Sequence, residues 1–574
     1  MRLCPVMFFG LAAMIAGCSR APEKVVKEGM ALAEADRVFI ANIESRGLVL
    51  NRRGFPALGA AIRSGDATKV AALFAPDFAG EMFDDAEGGG VRAPTLTVQR
   101  RTMSDEGRKK VPAKAAEFAQ MLTGLRRRFG AETEMEMALT SLSPKDRGAL
   151  DGAWSAACAL RMAGKLADGR TGELLVKLEL ELKSVPDADA IATAGGWIQE
   201  ARLAEEQFAA ATGPLMGEIG GERGINRWKL HDNWTAPLEN RPVLTGGVFV
   251  ADVNDDGEDD IFVTDVSGPA LYLGQGGGRF KDATEGSGIP ATLRGSSAAA
   301  LADFDGDGHV DMILPRHVLR GDGTGKFEDI SARMKFEFGN RLSGFSVADY
   351  DCDGRLDLYV SRFHGTDKSV DVKTSWIDGP GGPGNQLWRN LGDWKFEEVA
   401  DKANARAGSR AVFTSVWLDV NDDRWPDVYV INELGGGILL VNKGDGTFME
   451  VHLIDGDPGD FGSMGMAVGD YNNDGHIDIY TANMYSKAGR RIMENLPADS
   501  YPPEVITKIK RFVTGSELYR NNGGLKFSAV GKSARVHAVG WAYGAAFVDL
   551  DNDGFLDLYG TAGFASVNKT EPDG

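Results

Sequence analysis

Six segments of nine residues share one arrangement of oxygen-bearing side chains, at positions 1, 3, 5 and 9. They are Asp252, Asn254, Asp256 and Asp260; Asp303, Asp305, Asp307 and Asp311; Asp349, Asp351, Asp353 and Asp357; Asp419, Asn421, Asp423 and Asp427; Asp470, Asn472, Asp474 and Asp478; and Asp549, Asp551, Asp553 and Asp557. Side chains at 1, 3 and 5 of a tight loop converge, and glycine at 6 supplies the positive φ that turns the chain. Position 7 holds Glu258, His309, Arg355, Trp425, His476 and Phe555 in turn, so the donor common to all six is the main-chain carbonyl. The imidazoles of His309 and His476 carry no metal signal. Calcium takes roughly six to eight hard oxygens in flexible geometry, whereas magnesium asks for a strict octahedron and keeps its waters, so the expected cofactor is Ca2+ at up to six sites. One such loop would be an ordinary acidic turn. Six in register, holding 25 Asp and Glu, would repel themselves without a cation. In the fourth loop Arg424 replaces the glycine and Pro426 stiffens the exit, so the Asp419 to Asp427 site is expected to be weak, distorted or neutralised by the arginine.

The flanks decide what kind of loop this is. A helical EF-hand needs a bidentate glutamate further on and a helix on each side. Here Val248-Phe249-Val250 precede the first loop and Ile261-Phe262-Val263-Thr264 follow it, with Leu358-Tyr359-Val360, Val428-Tyr429-Val430 and Leu558-Tyr559 in the same place after others; these are strands. Loop starts are 51, 46, 70, 51 and 79 residues apart. Between them recurs a hairpin closed by phenylalanine, from Leu271 to Phe280, Leu319 to Phe327, Leu387 to Phe396, Leu440 to Phe448 and Leu518 to Phe527. Each repeat is thus strand, loop, strand, hairpin, a unit that buries its faces only by radial packing, and a β-propeller follows. Small residues before the loops, Ser297-Ala298-Ala299-Ala300 and Gly465-Met466-Ala467-Val468, suit a crowded innermost strand. Only 17 residues follow the sixth loop, so its blade is expected to be incomplete, the alternative being closing strands from 221–250 with Trp228 and Trp234. Longer spacings mark insertions at about 363–386 and 484–516. The second carries Lys487, Arg490, Arg491, Lys508, Lys510 and Arg511, expected as a solvated helical insert, with an anionic-ligand site as the alternative.

Charge partitions with this boundary. Residues 1–220 hold 28 Lys and Arg against 29 Asp and Glu; the remaining 354 hold 35 against 54 and carry almost all of the net −20. A polyanionic second half argues against nucleic acid as a partner and for bound cations. The seven histidines are isolated, and no Gly-x-Ser-x-Gly elbow, zinc spacing or P-loop occurs, so no catalytic residue is assigned.

The first half reads differently. The apolar run from Val6 to Ala16 is too short to cross about 30 Å of hydrocarbon and reads as a secretion signal over 1–17. Its end, Ile15-Ala16-Gly17-Cys18, resembles a bacterial lipobox, which implies lipidation of Cys18 and a membrane attachment through that lipid. Cys158 and Cys352 read as two buried thiols. Residues 18–50 are a tether and a helix. In 51–215, Leu58, Ala61 and Ile62 form an apolar face ending at Ser64-Gly65, and Asp66 caps a helix bearing Val70, Leu73 and Phe74. A glycine-rich linker follows near 88–95, and Pro112 opens a helix with Phe118, Met121, Leu122, Leu125 and Phe129 on one face. The period then becomes two, with Met135, Met137 and Leu139, and with Leu174, Val176, Leu178, Leu180 and Leu182. An α+β domain with one buried sheet face is expected.

Asp-x-Asp/Asn-x-Asp-Gly-x-x-Asp between strands, paired with Leu-Tyr-x-Asn and a closing Phe, resembles the FG-GAP or VCBS repeats of integrin-type propellers. The stretch from Asn483-Met484-Tyr485 through Leu518-Tyr519-Arg520-Asn521 to Asp549–Gly554 is similar to bacterial relatives of the cartilage acidic protein family, whose members often carry an ASPIC/UnbV segment further on. The resemblance covers about residues 225–574 and implies calcium-stabilised blades and extracellular binding or adhesion. The segment from Ala57 to Phe78 with the strands after it resembles SnoaL-like, nuclear-transport-factor-like cones. The expectation is a multi-domain chain, an α+β cone-like domain followed by an all-β propeller at 225–574, lipid-anchored in the bacterial cell envelope and binding an extracellular carbohydrate or protein. The alternatives are a polysaccharide lyase or hydrolase, and a scaffold dimerised through the first domain.

Overall fold

The computed structural model describes residues 34–562 apart from 85–88, 93–94, 104–108, 185–194, 214–216, 227–228, 233–245, 296–297, 335, 340–341, 364–382, 409, 455–458 and 498–499. Cys18, the secretion signal, Trp228, Trp234 and most of the first insertion lie outside the described residues. Among the described residues no helix is long and apolar enough to cross a membrane. The chain divides into two compact units, residues up to Gly217 together with Lys487–Pro502, and Glu218–Ser486 together with residues from Pro503 on.

In the first unit, α1 (Glu34–Val49) passes through a wide turn at Leu50–Gly54 into α2 (Phe55–Arg63) and the short α3 (Ala67–Ala71), followed by α4 (Ala115–Arg126). The strands are β1 (Phe74–Phe83), β2 (Gly89–Arg92), β3 (Leu96–Thr102), β4 (Lys110–Ala113), β5 (Phe129–Pro144), β6 (Trp154–Leu166), β7 (Thr171–Leu182) and β8 (Ile198–Ala211). They form one sheet in the order β2-β3-β8-β7-β6-β5, with β1 parallel to β8 and antiparallel to β4. The period of two in β7 is realised in full: Leu174, Val176, Leu178, Leu180 and Leu182 are buried, and Lys177 and Glu179 are exposed. The helices close this face with Phe55, Leu58, Ile62, Phe118 and Leu122.

Several local expectations are corrected here. Asp66 does cap α3, accepting from the Thr68 N–H, but the helix ends at Ala71 and Phe74 begins β1. Gly89–Arg92 is a strand paired with β3, not a linker. Pro112 lies in edge strand β4, where a missing N–H is tolerated, and α4 starts after Lys114. Phe129 opens β5 rather than closing the helix. In each case pairing with another strand overrides the local pattern.

The basic insert is also not simply solvated. Its first helix, α5 (Lys487–Asn495), belongs to the first unit: Ile492 joins that core, the buried Arg491 bonds Glu44 of α1 at 3.0 Å, and Asn495 Nδ2 donates to the Leu142 carbonyl of β5 at 2.8 Å. The second helix, α6 (Pro503–Thr514), lies in the other unit with Ile509, Phe512 and Val513 buried.

That second unit is a propeller of β blades: five four-stranded antiparallel sheets and a sixth of two strands. The first strands are Gly246–Ala251, Ala300–Ala302, Leu342–Ala348, Ala411–Leu418, Ser463–Gly469 and Ala542–Val548. Each neighbours the first strand of the next blade, which is why this position carries small residues. Five of the second strands' or third strands' tyrosines, Tyr272, Tyr359, Tyr429, Tyr480 and Tyr519, are fully buried between blades. Among the described residues, 221–250 give blade 1 its first strand and give blade 6 none. Val248 and Val250 of blade 1 and Val548 and Tyr559 of blade 6 are exposed.

Between blades 4 and 5 sits a buried acid. Asp460 accepts from the hydroxyls of Tyr519 (2.7 Å) and Tyr429 (3.2 Å) and from Asn483 Nδ2 (3.2 Å), and burial, with Glu517 adding to it and Arg511 opposing, pushes its carboxyl up to about 6. A carboxyl that holds its proton more tightly when folded contributes stability in full below about pH 4, and loses it as the pH rises through 6. Urea unfolding at pH 4 and 7 should therefore show the wild type gaining up to about 3 kcal/mol relative to Asp460→Asn at the lower pH. A difference independent of pH would contradict the buried, protonating acid.

Candidate metal centre

Every acidic loop joins the first and second strands of a blade, and the position 9 aspartate opens the second strand. The six loops are built alike. The position 1 carboxylate accepts the N–H groups of positions 5 and 6, as Asp252 does from Asp256 (3.2 Å) and Gly257 (2.8 Å), and Asp470 from Asp474 (3.0 Å) and Gly475 (2.7 Å). The position 5 carboxylate accepts the N–H of position 7 in all six, from Glu258, His309, Arg355, Trp425, His476 and Phe555. These turns are what Asp and Asn favour locally, and they point the remaining carboxylate oxygens at one another. Ligand oxygens lie within 4.8 Å of one another for Asp303, Asp305 and Asp311; for Asp349, Asp351 and Asp353; and for Asp549, Asp551 and Asp553.

Position 9 has a structural task that sequence spacing did not disclose. One oxygen accepts the N–H of position 2 of its own loop and the other an N–H at the end of the third strand: Asp260 from Val253 and Gly274, Asp311 from Phe304 and Gly321, Asp357 from Tyr350 and Asn390, Asp427 from Val420 and Asn442, Asp478 from Tyr471 and Asn521. These five side chains are buried. Desolvation, reinforced by the other acids of the loop, pushes Asp311 and Asp357 up to about 7 and Asp427 and Asp478 up to about 6. Asp260 is raised in the same sense, whereas Asp557 of blade 6 is exposed and, among the described residues, accepts only from Leu550.

The donors fit a divalent ion in chemistry, and one atom fits it in particular. Among the described residues Asp351 Oδ1 is buried with no hydrogen-bond partner, and burial together with Asp353 raises that carboxyl. Against this, loops 2 and 3 already receive a cation. Arg320 of the third strand of blade 2 sets Nε 2.6 Å from Asp305 and also bonds Asp307, and Arg389 of blade 3 sets Nε 2.6 Å from Asp351 and bonds Asp353, which Arg355 also reaches. In loops 1, 4 and 5 the position 3 amides of Asn254, Asn421 and Asn472 donate to Asp256, Asp423 and Asp474 instead. Loop 6 has neither: among the described residues Asp549, Asp551 and Asp553 receive only backbone N–H groups.

The expectation for loop 4 is corrected in its cause. Arg424 takes the glycine's backbone conformation, φ 72°, and its N–H reaches Asp419 at 2.8 Å as glycine does in the other loops, so the loop is not distorted. The arginines that neutralise a loop come from the third strands of blades 2 and 3. Left-handed backbone costs an L-residue roughly 1–2 kcal/mol. Arg424→Gly should accordingly stabilise the chain by about 1 kcal/mol in urea unfolding; a loss of stability would mean that the arginine side chain contributes more than its backbone strain.

Two classes of residue were not legible as functional. Asn390, Asn442 and Asn521, at the end of the third strand, each donate Nδ2 to the position 2 carbonyl of the preceding blade's loop (Phe304, Tyr350, Val420) and to the position 8 carbonyl of their own (Leu356, Pro426, Ile477). The Asn repeated in the hairpin motif was the available signal. The histidines at position 7 tie loop to loop: His309 Nδ1 pairs with Asp255 at 2.5 Å and His476 Nδ1 with Asp422 at 3.0 Å, which raises the His309 imidazole. Cys158 is buried, its thiol pushed up to about 12 by desolvation, whereas Cys352, expected buried, is exposed at position 4 of loop 3.

With this geometry in place, a family model recognises the repeat in two stretches of the chain. The FG-GAP-like repeat model matches residues 252–314 and 419–481, both starting on the first aspartate of a loop. Cartilage acidic protein 1 of Xenopus tropicalis is 26% identical over 270 residues, 42% of this chain and 41% of that protein. The Homo sapiens protein of that name is 25% identical over 385 residues, 56% of each. The chain thus spans about two fifths to three fifths of the length of these relatives. Among solved structures, an Agrocybe aegerita lectin recognising non-reducing terminal N-acetylglucosamine is similar at 18% identity and a TM-score of 0.36, over 55% of this chain and 74% of its own. The second unit is therefore a β-propeller carrying FG-GAP-like repeats, in a chain similar in sequence to cartilage acidic protein 1.

Proposed function

We propose that the chain is a calcium-stabilised propeller protein that binds an extracellular carbohydrate or protein, held at a bacterial cell envelope by a lipid on Cys18. The observation that carries the reading is the repeated loop: one backbone N–H pattern in all six, ligand oxygens of three acids within 4.8 Å of one another in loops 2, 3 and 6, and a desolvated carboxylate at position 9 of five loops. Positions 1, 3, 5 and 9, with the carbonyl of position 7, would hold Ca2+. The ion would supply the positive charge that these acids lack and so fix the strand connections of each blade. Arg320 and Arg389 would compete with it, giving loops 2 and 3 lower affinity than loops without an arginine.

The functional test is retention of glycans and envelope or matrix proteins by the purified full chain, in Ca2+ and in chelator, with product analysis of each bound saccharide. Retention without turnover supports a binding protein; released product would transfer the reading to the enzyme alternative. Cys18→Ser should move the protein from the membrane to the soluble fraction, and continued membrane association would remove the lipid anchor.

A further inference from the structure

The contacts from loop to loop differ around the propeller in a way that metal binding does not explain. In two loop pairs an acid at position 4 faces a histidine at position 7 of the next loop, Asp255 with His309 and Asp422 with His476. The corresponding residues are Gly306 and Arg355 between loops 2 and 3, Asn473 and Phe555 between loops 5 and 6, and Cys352 and Trp425 between loops 3 and 4, so no acid–histidine pair closes those three steps, and in the last of them position 7 is held by an indole. A cavity of about 450 Å³ opens there, lined by Tyr350, Asp351, Arg389, Glu397, Lys402 and Trp425 and floored by the turn Gly444–Thr447.

The walls are fixed in place. Asp445 accepts from the N–H (3.0 Å) and hydroxyl (2.6 Å) of Thr447, and Arg389 is tied to Asp351. The half-buried indole of Trp425 lies against the turn so closely that a Cβ on Gly444 would stand 3.1 Å from Nε1, and Gly444 has φ 74°. The turn thus requires glycine both for its backbone conformation and for room beneath the ring. The volume falls in the range of small-molecule sites, roughly 300–1,000 Å³, but the lining sets charged and polar groups, with the small apolar Val399 and Ala403, around the rings of Tyr350 and Trp425. Three acids, Asp351, Glu397 and Asp445, face two bases, Arg389 and Lys402, which disfavours an anionic guest. A neutral molecule with one apolar face and a fringe of hydroxyls matches this lining: the C–H face of a pyranose ring lies on an aromatic side chain, and its hydroxyls exchange hydrogen bonds with carboxylates and cationic N–H groups.

We propose that the cleft between blades 3 and 4 is a saccharide subsite for a neutral hexopyranose, with Trp425 as its stacking platform. This rests on the reading of the propeller as a ligand-binding module and names the place and chemical class of the ligand. The test uses the calcium-loaded full chain, titrated calorimetrically with the methyl glycosides of glucose, galactose, mannose and the N-acetylhexosamines, after a neutral-glycan array has ranked them. Trp425→Ala should weaken binding of the best glycoside at least tenfold and Trp425→Phe should recover part of it, with the melting temperatures of both variants close to wild type. Equal affinity in wild type and Trp425→Ala would overturn the cleft assignment while leaving the propeller a lectin by another surface. Absence of glycan binding, with a protein partner retained, would overturn the saccharide class but not ligand binding; absence of both would overturn the functional reading itself. Should Trp425→Ala unfold, Gly444→Ala, which displaces the ring rather than deleting it, gives the second reading: unchanged affinity in a folded Gly444→Ala protein would also overturn the site.

Discussion

Transfer of the protein from millimolar calcium into excess chelator should lower the melting temperature of the propeller unit by roughly 10 °C or more. A single site saturated a thousandfold above its dissociation constant stabilises the native state by about 4 kcal/mol, and about 1 kcal/mol moves the transition of a domain this size by roughly 2–4 °C. The sign follows from the loops: five buried position 9 carboxylates are raised by desolvation and by neighbouring acids, so the metal-free state carries a repulsion that a cation relieves. Differential scanning calorimetry in calcium, in magnesium and in chelator reads it directly. Calcium should restore the transition and magnesium should restore little, given its stricter geometry. A transition identical in all three buffers would show that the hydrogen bonds and arginines of the loops suffice without metal.

Asn442→Ala should destabilise the chain by about 3–5 kcal/mol in urea, with or without calcium. Asn442 is 2% exposed; its Nδ2 serves the carbonyls of Tyr350 (2.8 Å) and Pro426 (3.1 Å), and its Oδ1 accepts the Gly444 N–H at 3.0 Å. Alanine leaves these buried groups unpaired, at about 1–3 kcal/mol for each left unsatisfied. Because one partner lies in the preceding blade, the residue ties blade 4 to blade 3, and Asn390 and Asn521 do the same for their blades. Asn442→Asp tests the polarity of the contact, since a carboxylate opposite two carbonyls repels them, and it should cost at least as much as alanine. A loss below about 1 kcal/mol would mean that water replaces the amide and that the blades are held by apolar packing alone.

The propeller was legible because its signals are short in range. Asp, Asn and Gly at fixed offsets force a turn by hydrogen bonds within nine residues, and the strands on either side declare themselves by composition. The same holds for the alternation in Leu174–Leu182. Phe74, Gly89–Arg92 and Pro112 were misplaced because each takes its conformation from a partner strand: β1 from β8, β2 from β3, β4 from β1. The helix Lys487–Asn495 was misjudged for a related reason. Its charges mark it as solvated, yet Arg491 finds Glu44, 447 residues earlier in the chain, and Ile492 joins the first unit's core. The third-strand arginines were ordinary strand residues until pairing put Arg320 and Arg389 over the carboxylates of their own loops.

The sequence by itself determined the repeat, the loop chemistry and the strand, loop, strand, hairpin order, because hydrogen bonds and apolar periodicity over a few residues suffice to encode them. The tertiary structure decided which acid is buried, which loops already hold a guanidinium, which asparagine bridges two blades and that Trp425 lines a cleft beside Gly444. Those properties depend on what another blade brings to the same point, and no interval along the chain records that distance.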